Sequence, residues 1–571
     1  MSPIDWAVII IYLAGLLAVG FIFSSIGSAR AMFAAGGQSP WWISGLSSFM
    51  TFFSAGTFVV WGGIAYSFGF VAVAIQLCFG LAAFIAGRFI AGRWHDLGVT
   101  NASDYIGLRF GPGAVRFYIW LLTLRGPFIM GAAVYAFCLI ACPLIPLSEG
   151  NIFRDPATGN FSVTWAIILF ISLVTIYTML GGLWAVLVTD VLQFIVLMSA
   201  VLVVVPLWLL KLSQSDLGWE SLPEGFMAPT AGPFTLLFLG LFVLSNSLAL
   251  GMEWPFAQRA LCVPSARDAR RSFYLFGALY LLSPFIWMLP PILYRIAHPQ
   301  ANPDEAYILA CREVLPVGLL GLLIAAMFSA TASSVSSVLN VLSGSILSDL
   351  QTRFVKLNPE RSAVFAGRVI TLVFGAMMVG GALIVKFGGT VTGFVLGLTI
   401  ISGALLAPPL WGFFSKRLPG HSIWYVVAAQ TAVAAMCKFG LARFDWAGTS
   451  LEKIAAFYVQ HERTMDVGLG LVIPFALLAL FEWRSRKVDE GWLAVEIQFA
   501  KAKELHPLES SRKPLLIFAW AALGIALFML GVWPFAVTGQ NVLLAFSIVM
   551  AALSAVIFFF ARKHRADPGT R

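Results

Sequence analysis

The amino-acid sequence predicts an all-α polytopic membrane protein with about 15 transmembrane helices. Its core is expected to be ten helices, arranged as two inverted five-helix repeats with broken helices 1 and 6. The N-terminus is expected outside and the C-terminus inside. Three observations lead there: a composition too apolar for a soluble globule, a succession of membrane-length apolar runs, and polar interruptions at corresponding places in two of them. Of 571 residues, 60% are hydrophobic and only 11% charged, against about 25% charged in an ordinary soluble protein. The mean hydropathy is +0.89. No soluble fold can bury that much apolar surface.

A hydrocarbon core needs about 20 apolar residues per helix. Such runs lie near Asp5–Ser25, Trp41–Phe68, Gly69–Gly92, Phe117–Cys142, Val163–Leu180, Trp184–Leu210 and Phe234–Met252. They continue at Phe273–Ile296, Val317–Leu347, Val369–Phe387, Val391–Phe414, Ile423–Gly440, Val467–Trp483, Pro514–Phe535 and Val542–Phe560. The first run has no basic residues before it and is expected to be a retained helix, not a cleaved leader. This divides the chain into an extra N-terminal helix (1–40), a transport core (41–415), two additional spans (416–483), a cytoplasmic linker (484–513) and two C-terminal spans with a tail (514–571).

The net charge of +9 does not point to nucleic acid, because most of the Lys and Arg fall in alternate loops, as the positive-inside rule requires. Those inside loops include Arg88, Arg93, Arg109 and Arg116, then Arg259, Arg267, Arg270 and Arg271, then Arg484 to Lys513. The six histidines all lie outside the apolar runs and the six cysteines show no zinc or disulfide spacing, which argues against a metal centre or an enzyme.

Membrane transporters bind their cargo where helices unwind, since freed carbonyls and helix ends can meet ions there. The second run carries Ser54-Ala55-Gly56-Thr57 at its middle and Gly62-Gly63 later, and the seventh carries Ser245-Asn246-Ser247 at its middle, then Gly251 and Pro255. Counting the second run as core helix 1 makes the seventh core helix 6. Each opens a block of five spans, and an odd number of spans makes the two blocks run in opposite senses. Small polar residues also serve close helix packing, but two interruptions in matching positions favour a binding site.

Of 27 aspartates and glutamates together, only Asp190 and Glu253 lie well inside apolar runs, and a charge there is costly unless it has a function. A cation is the natural partner of Asp190. Ser333, Ser336, Ser337 and Asn340 follow i, i+3, i+4, i+7 in core helix 8 and share one face. Hydroxyls, carbonyls and one carboxylate suit a hard cation such as sodium. Arg125 lies about 13 Å into its span. It is either a fork for a substrate carboxylate or half of an ion pair with Glu253 or Asp190.

These residues together resemble the sodium:solute symporter family, the superfamily of sodium–glucose, proline and sialic acid symporters. The likeness rests on Tyr177-Thr178-Met179-Leu180-Gly181-Gly182 with Asp190 and Gln193, on Ala325-Ala326, Ser333-Ser334, Asn340 and Asp349, and on Trp42, Gly45, Ser54 and Tyr66-Ser67-Phe68-Gly69. Gln258-Arg259 and Pro284-Phe285 also fit, and the likeness runs from about Trp41 to Phe414. It implies the ten-helix inverted-repeat fold and sodium-driven secondary transport. It implies a main sodium site from the carbonyls of Met50, Phe53 and Ala330 and the hydroxyls of Ser333 and Ser334. The sialic acid branch implies a second site from Asp190, Ser333, Ser336 and Ser337.

The same resemblance places Ser54, Thr57, Gln76, Asn246 and Tyr280 in the substrate site, with Arg125 close to the sialic acid branch's carboxylate-binding arginine. Gln76 stands where the sugar branch has a carboxylate and Tyr280 where it has a lysine, so galactose does not fit. The expectation is a symporter of a small organic solute, anionic or carboxylate-bearing, using one or two sodium ions and no organic cofactor. The alternatives are a proton-coupled transporter with Asp190 as proton carrier, or a membrane sensor with the 484–513 linker as its output surface. A monomer in the lipid bilayer suffices, with no nucleic-acid partner, and the expected location is a bacterial inner membrane.

Overall fold

The computed structural model describes all residues except 1–2, 25–27, 216–217, 316–318, 354–359, 389–401, 443, 445, 447, 504–512, 534–539 and 564–571. The described residues are helical throughout, apart from a few isolated β-bridges in connecting loops. Among the described residues, eight helices are long and apolar enough to cross a membrane, or ten if each of two bent helix pairs forms one span. The chain is an integral membrane protein of packed helices. The expected span at Val391–Phe414 falls mostly outside the described residues, which resume with the helix Ser402–Gly412.

The first bent pair, Trp41–Phe52 and Thr57–Phe68, turns by 66°. Its break falls at the Ser54-Ala55-Gly56 stretch singled out above, with Phe53 in an extended conformation. The second, Leu236–Met252 and Trp254–Leu261, turns by 56°. The expected break in this helix is present, but it falls between Gly251 and Pro255 and not at Ser245-Asn246-Ser247, through which the helix runs unbroken. Ser247 donates to the Val243 carbonyl and Asn246 to the Phe242 carbonyl, each one turn back, at 2.7 and 2.8 Å. Polar side chains satisfied this way leave the helix intact. The bend comes instead at Glu253, just before Pro255. A proline ring clashes with the carbonyl four residues earlier, which is that of Gly251. That carbonyl accepts from the Trp94 indole at 2.7 Å instead.

The runs Val163–Leu180 and Trp184–Leu210 join into one helical stretch, Val163–Ser213, hinged at Gly182. The hinge residue has φ of +55°, a conformation that glycine alone adopts freely. This stretch packs against the serine-rich helix Leu319–Arg353, which is core helix 8. The N-terminal helix Pro3–Ile22 braces both. Its Gly20 lies so close to Tyr177 that an added Cβ would stand 2.9 Å from the tyrosine Cα. Its Asp5 is buried and accepts from the Gly321 amide at 2.9 Å. That puts a carboxylate at the start of the serine-rich helix, where unsatisfied amides and the helix dipole favour it.

The polar linker is docked onto the core. Its helix Glu490–Lys503 packs on the short helix Ala102–Phe110. Arg109, expected in a loop, is fully buried at the junction. It donates to Asp489 Oδ1 at 2.6 Å and to the carbonyls of Leu418 and Ser415 at 2.9 and 3.2 Å. Asp489 also accepts from the Gly420 amide at 3.2 Å. Asp489→Ala would leave a buried guanidinium without its counter-charge. We expect it to cost about 2–4 kcal/mol and to expose the linker to proteolysis. A variant as protease-resistant as the wild type would show that the junction does not depend on this pair.

Candidate functional site

The break in the first bent pair frees backbone groups that an unbroken helix would satisfy internally. The serine-rich helix meets them. The Ser334 hydroxyl lies 2.9 Å from the Thr51 carbonyl and 3.0 Å from the Phe53 carbonyl. The Ala55 amide donates to the Thr331 hydroxyl at 3.0 Å. Ser334, Phe53, Met50 and Ala330 are all buried. The Met50 carbonyl accepts from the Phe53 amide at 3.2 Å. Four of the five residues named for the main sodium site, Met50, Phe53, Ala330 and Ser334, therefore lie on the two helices that meet at this break, with Ser334 bridging them.

Ser333, the fifth, lies beside Asp190 on the hinged helix. Both are fully buried, and neither Ser333 Oγ nor Asp190 Oδ1 has a hydrogen-bond partner among the described residues. The rest of the polar face has other work. Ser336 donates to the Ser333 carbonyl at 3.0 Å. Asn340 accepts from Gln258 at 2.8 Å and donates to the Met32 carbonyl at 3.3 Å.

Ser337 lies 3.0 Å from the Thr51 hydroxyl and accepts from Arg259 at 2.6 Å. Arg259 is the residue that sequence reasoning misplaced. It was assigned to a cytoplasmic loop, yet its side chain is wholly buried and pairs with Asp190 at 3.3 Å. Ser47, also not foreseen, donates to Asp190 and accepts from Arg259 Nε at 3.1 Å. The signal was present in the stretch Trp254–Val263, which is apolar apart from Gln258 and Arg259, so an arginine there is set among buried neighbours.

Several of the expected substrate residues belong to or neighbour a cluster of packed aromatic rings. The Tyr280 ring lies 4.9 Å from Phe49, 5.5 Å from Phe79 and 5.6 Å from Trp287, measured between centroids. Phe79 also meets Trp61 and Phe242 at 6.0 and 5.3 Å. Gln76, Thr57 and Asn246 stand within one helical turn of Phe79, Trp61 and Phe242 respectively. Gln76 is 1% exposed, and neither atom of its amide has a partner among the described residues. Leaving such a group unsatisfied costs about 1–3 kcal/mol, which a bound ligand or water would relieve. Thr57 accepts from the Ser54 amide at 3.3 Å, holding the break in shape.

Arg125 comes from a different helix than the residues above. It lies on the helix Pro112–Ala141, which packs on the serine-rich helix and on Glu360–Gly388. Its charge faces Glu253, at the bend of the second pair. Of the two expected ion-pair partners, the structure therefore gives Arg125 to Glu253 and Asp190 to Arg259.

The sodium:solute symporter family profile matches residues 32–420. The chain is 24% identical over 424 residues to solute carrier family 5 member 4 of Rattus norvegicus, covering 65% of this chain and 61% of that protein. It is 27% identical over 469 residues to sodium/glucose cotransporter 4 of Homo sapiens, covering 72% and 64%. The match thus spans less than two thirds of the length of these relatives. Among solved structures, a Na+-coupled sialic acid symporter in a substrate-bound outward-open state superposes with a TM-score of 0.67 at 21% identity, covering 86% of this chain and 99% of that one. Mhp1, a nucleobase-cation-symport-1 family transporter in a closed conformation, superposes with a TM-score of 0.52 at 15% identity, covering 83% and 99%. At these identities the superpositions establish the shared fold.

Proposed function

Because the chain belongs to the sodium:solute symporter family, we propose that it is a sodium-coupled symporter that carries a small organic solute by alternating access. The observation that carries this reading is the seam at the first helix break. There the Ser334 hydroxyl sits within hydrogen-bond reach of two carbonyls freed by the bend. A sodium ion at this seam would take the carbonyls of Met50, Phe53 and Ala330 and the hydroxyls of Ser333 and Ser334. It would hold the two helices in one arrangement, so sodium and solute would favour the same state and raise each other's affinity.

The solute would sit among Ser54, Thr57, Gln76, Asn246 and Tyr280. The aromatic rings beside them suit an apolar body, and the unsatisfied Gln76 amide suits one hydrogen-bonding group. A carboxylate on that solute is the reading Arg125 supports, with Glu253 as the counter-charge it would have to leave. The location we propose is a bacterial inner membrane, with the N-terminus outside and a monomer as the working unit.

The test is thermal stability of the purified protein in sodium and in potassium, with a panel of small carboxylates, amino acids and sugars. A ligand at ten times its Kd adds about 1.4 kcal/mol of apparent stability, which is readily measured. We expect sodium to stabilise where potassium does not, and one solute class to add to the shift. Equal melting in both salts would refute sodium coupling. For the carboxylate, Arg125→Ala is expected to weaken the stabilising solute at least about tenfold, the loss of one charge-assisted bond. Unchanged solute affinity would remove Arg125 from the substrate site.

A further inference from the structure

We infer that Arg259 is the resident counter-cation of Asp190, and that the chain therefore binds one sodium ion rather than two. This rests on the sodium-coupled reading above. Arg259 reaches the site from Trp254–Leu261, the short half of the second bent pair. It pairs with Asp190 Oδ2 at 3.3 Å, donates to Ser337 at 2.6 Å and donates to Ser47 at 3.1 Å. Ser47 in turn donates to the same Asp190 oxygen. A planar guanidinium can satisfy such a spread of acceptors at once, which a compact ammonium cannot.

Of the four groups expected to form the second sodium site, Ser337 and one oxygen of Asp190 are thus engaged by Arg259. Asp190 Oδ1 and Ser333 Oγ have no hydrogen-bond partner among the described residues, and Ser336, which donates to the Ser333 carbonyl, keeps its oxygen lone pairs. Three oxygens fall short of the shell a hard cation takes. A sodium ion between them would also face a permanent positive charge in a low-dielectric interior, where like charges repel strongly. A tethered cation differs from a free one in what it does for transport. It neutralises Asp190 in every state and is never released, so the site contributes to the shape of the protein and not to the sodium gradient it draws on.

The experiment is equilibrium binding of radioactive sodium to the purified full-length chain in detergent. We expect one saturable site per chain in the wild type and two in Arg259→Gln, where Asp190 and Ser337 become available. Folding of the variant is checked by the fluorescence of its 19 tryptophans and by its elution volume. Two sites in the wild type would overturn the inference without any variant. A folded R259Q that still binds one would overturn it too. No saturable binding in the wild type would instead sink sodium coupling itself, and the inference with it. If R259Q does not fold, the wild-type count decides.

Discussion

Asp190→Ala is expected to lower stability by about 3–5 kcal/mol and to leave little folded protein in the membrane. Both partners of this ion pair are fully buried. Removing the carboxylate strands the Arg259 guanidinium in an apolar interior, where an uncompensated charge is far more costly than a missing contact. The hydroxyls of Ser47 and Ser337 would remain as acceptors, but neither carries charge. Replacing both partners, as in Asp190→Asn with Arg259→Gln, should recover most of the loss, since an absent pair costs less than a broken one. The measurement is a double-mutant cycle on melting temperature, with an expected coupling of at least about 2 kcal/mol. Additive effects of the two substitutions would mean that the pair does not act as a unit.

Ser334→Ala is expected to weaken sodium binding by about 10- to 100-fold, the worth of one bond to a charged group. Among the described residues, its hydroxyl is the side-chain group within hydrogen-bond distance of both the Thr51 and Phe53 carbonyls. Losing it would also loosen the junction, so a control on the same helix is needed. Ser345 is buried and donates to the Val341 carbonyl one turn back at 2.9 Å, away from the break. Ser345→Ala should therefore leave the sodium titration unchanged. Equal sodium affinity in Ser334→Ala and the wild type would place the ion elsewhere. A similar loss in both variants would point to a general weakening of the helix.

The sequence by itself determined that this chain is a helical membrane protein, where most of its helices run, and that its first core helix is broken. Composition and apolar run length are enough for that, because a bilayer leaves a chain few ways to satisfy its backbone. Motif spacing also marked the family. The tertiary structure alone decided which polar residues need a partner from elsewhere. Asn246 and Ser247 look like a break in the sequence but close bonds within their own helix. The bend falls at Glu253, where Pro255 and the Trp94 indole together redirect the Gly251 carbonyl. Arg259 looks like a loop cation by hydropathy. It becomes a buried one because residues some 70 and 210 positions away in the chain, Asp190 and Ser47, converge on it. Hydropathy is local, whereas the partner of a buried charge is set by how distant helices pack, and that is settled only when the chain folds.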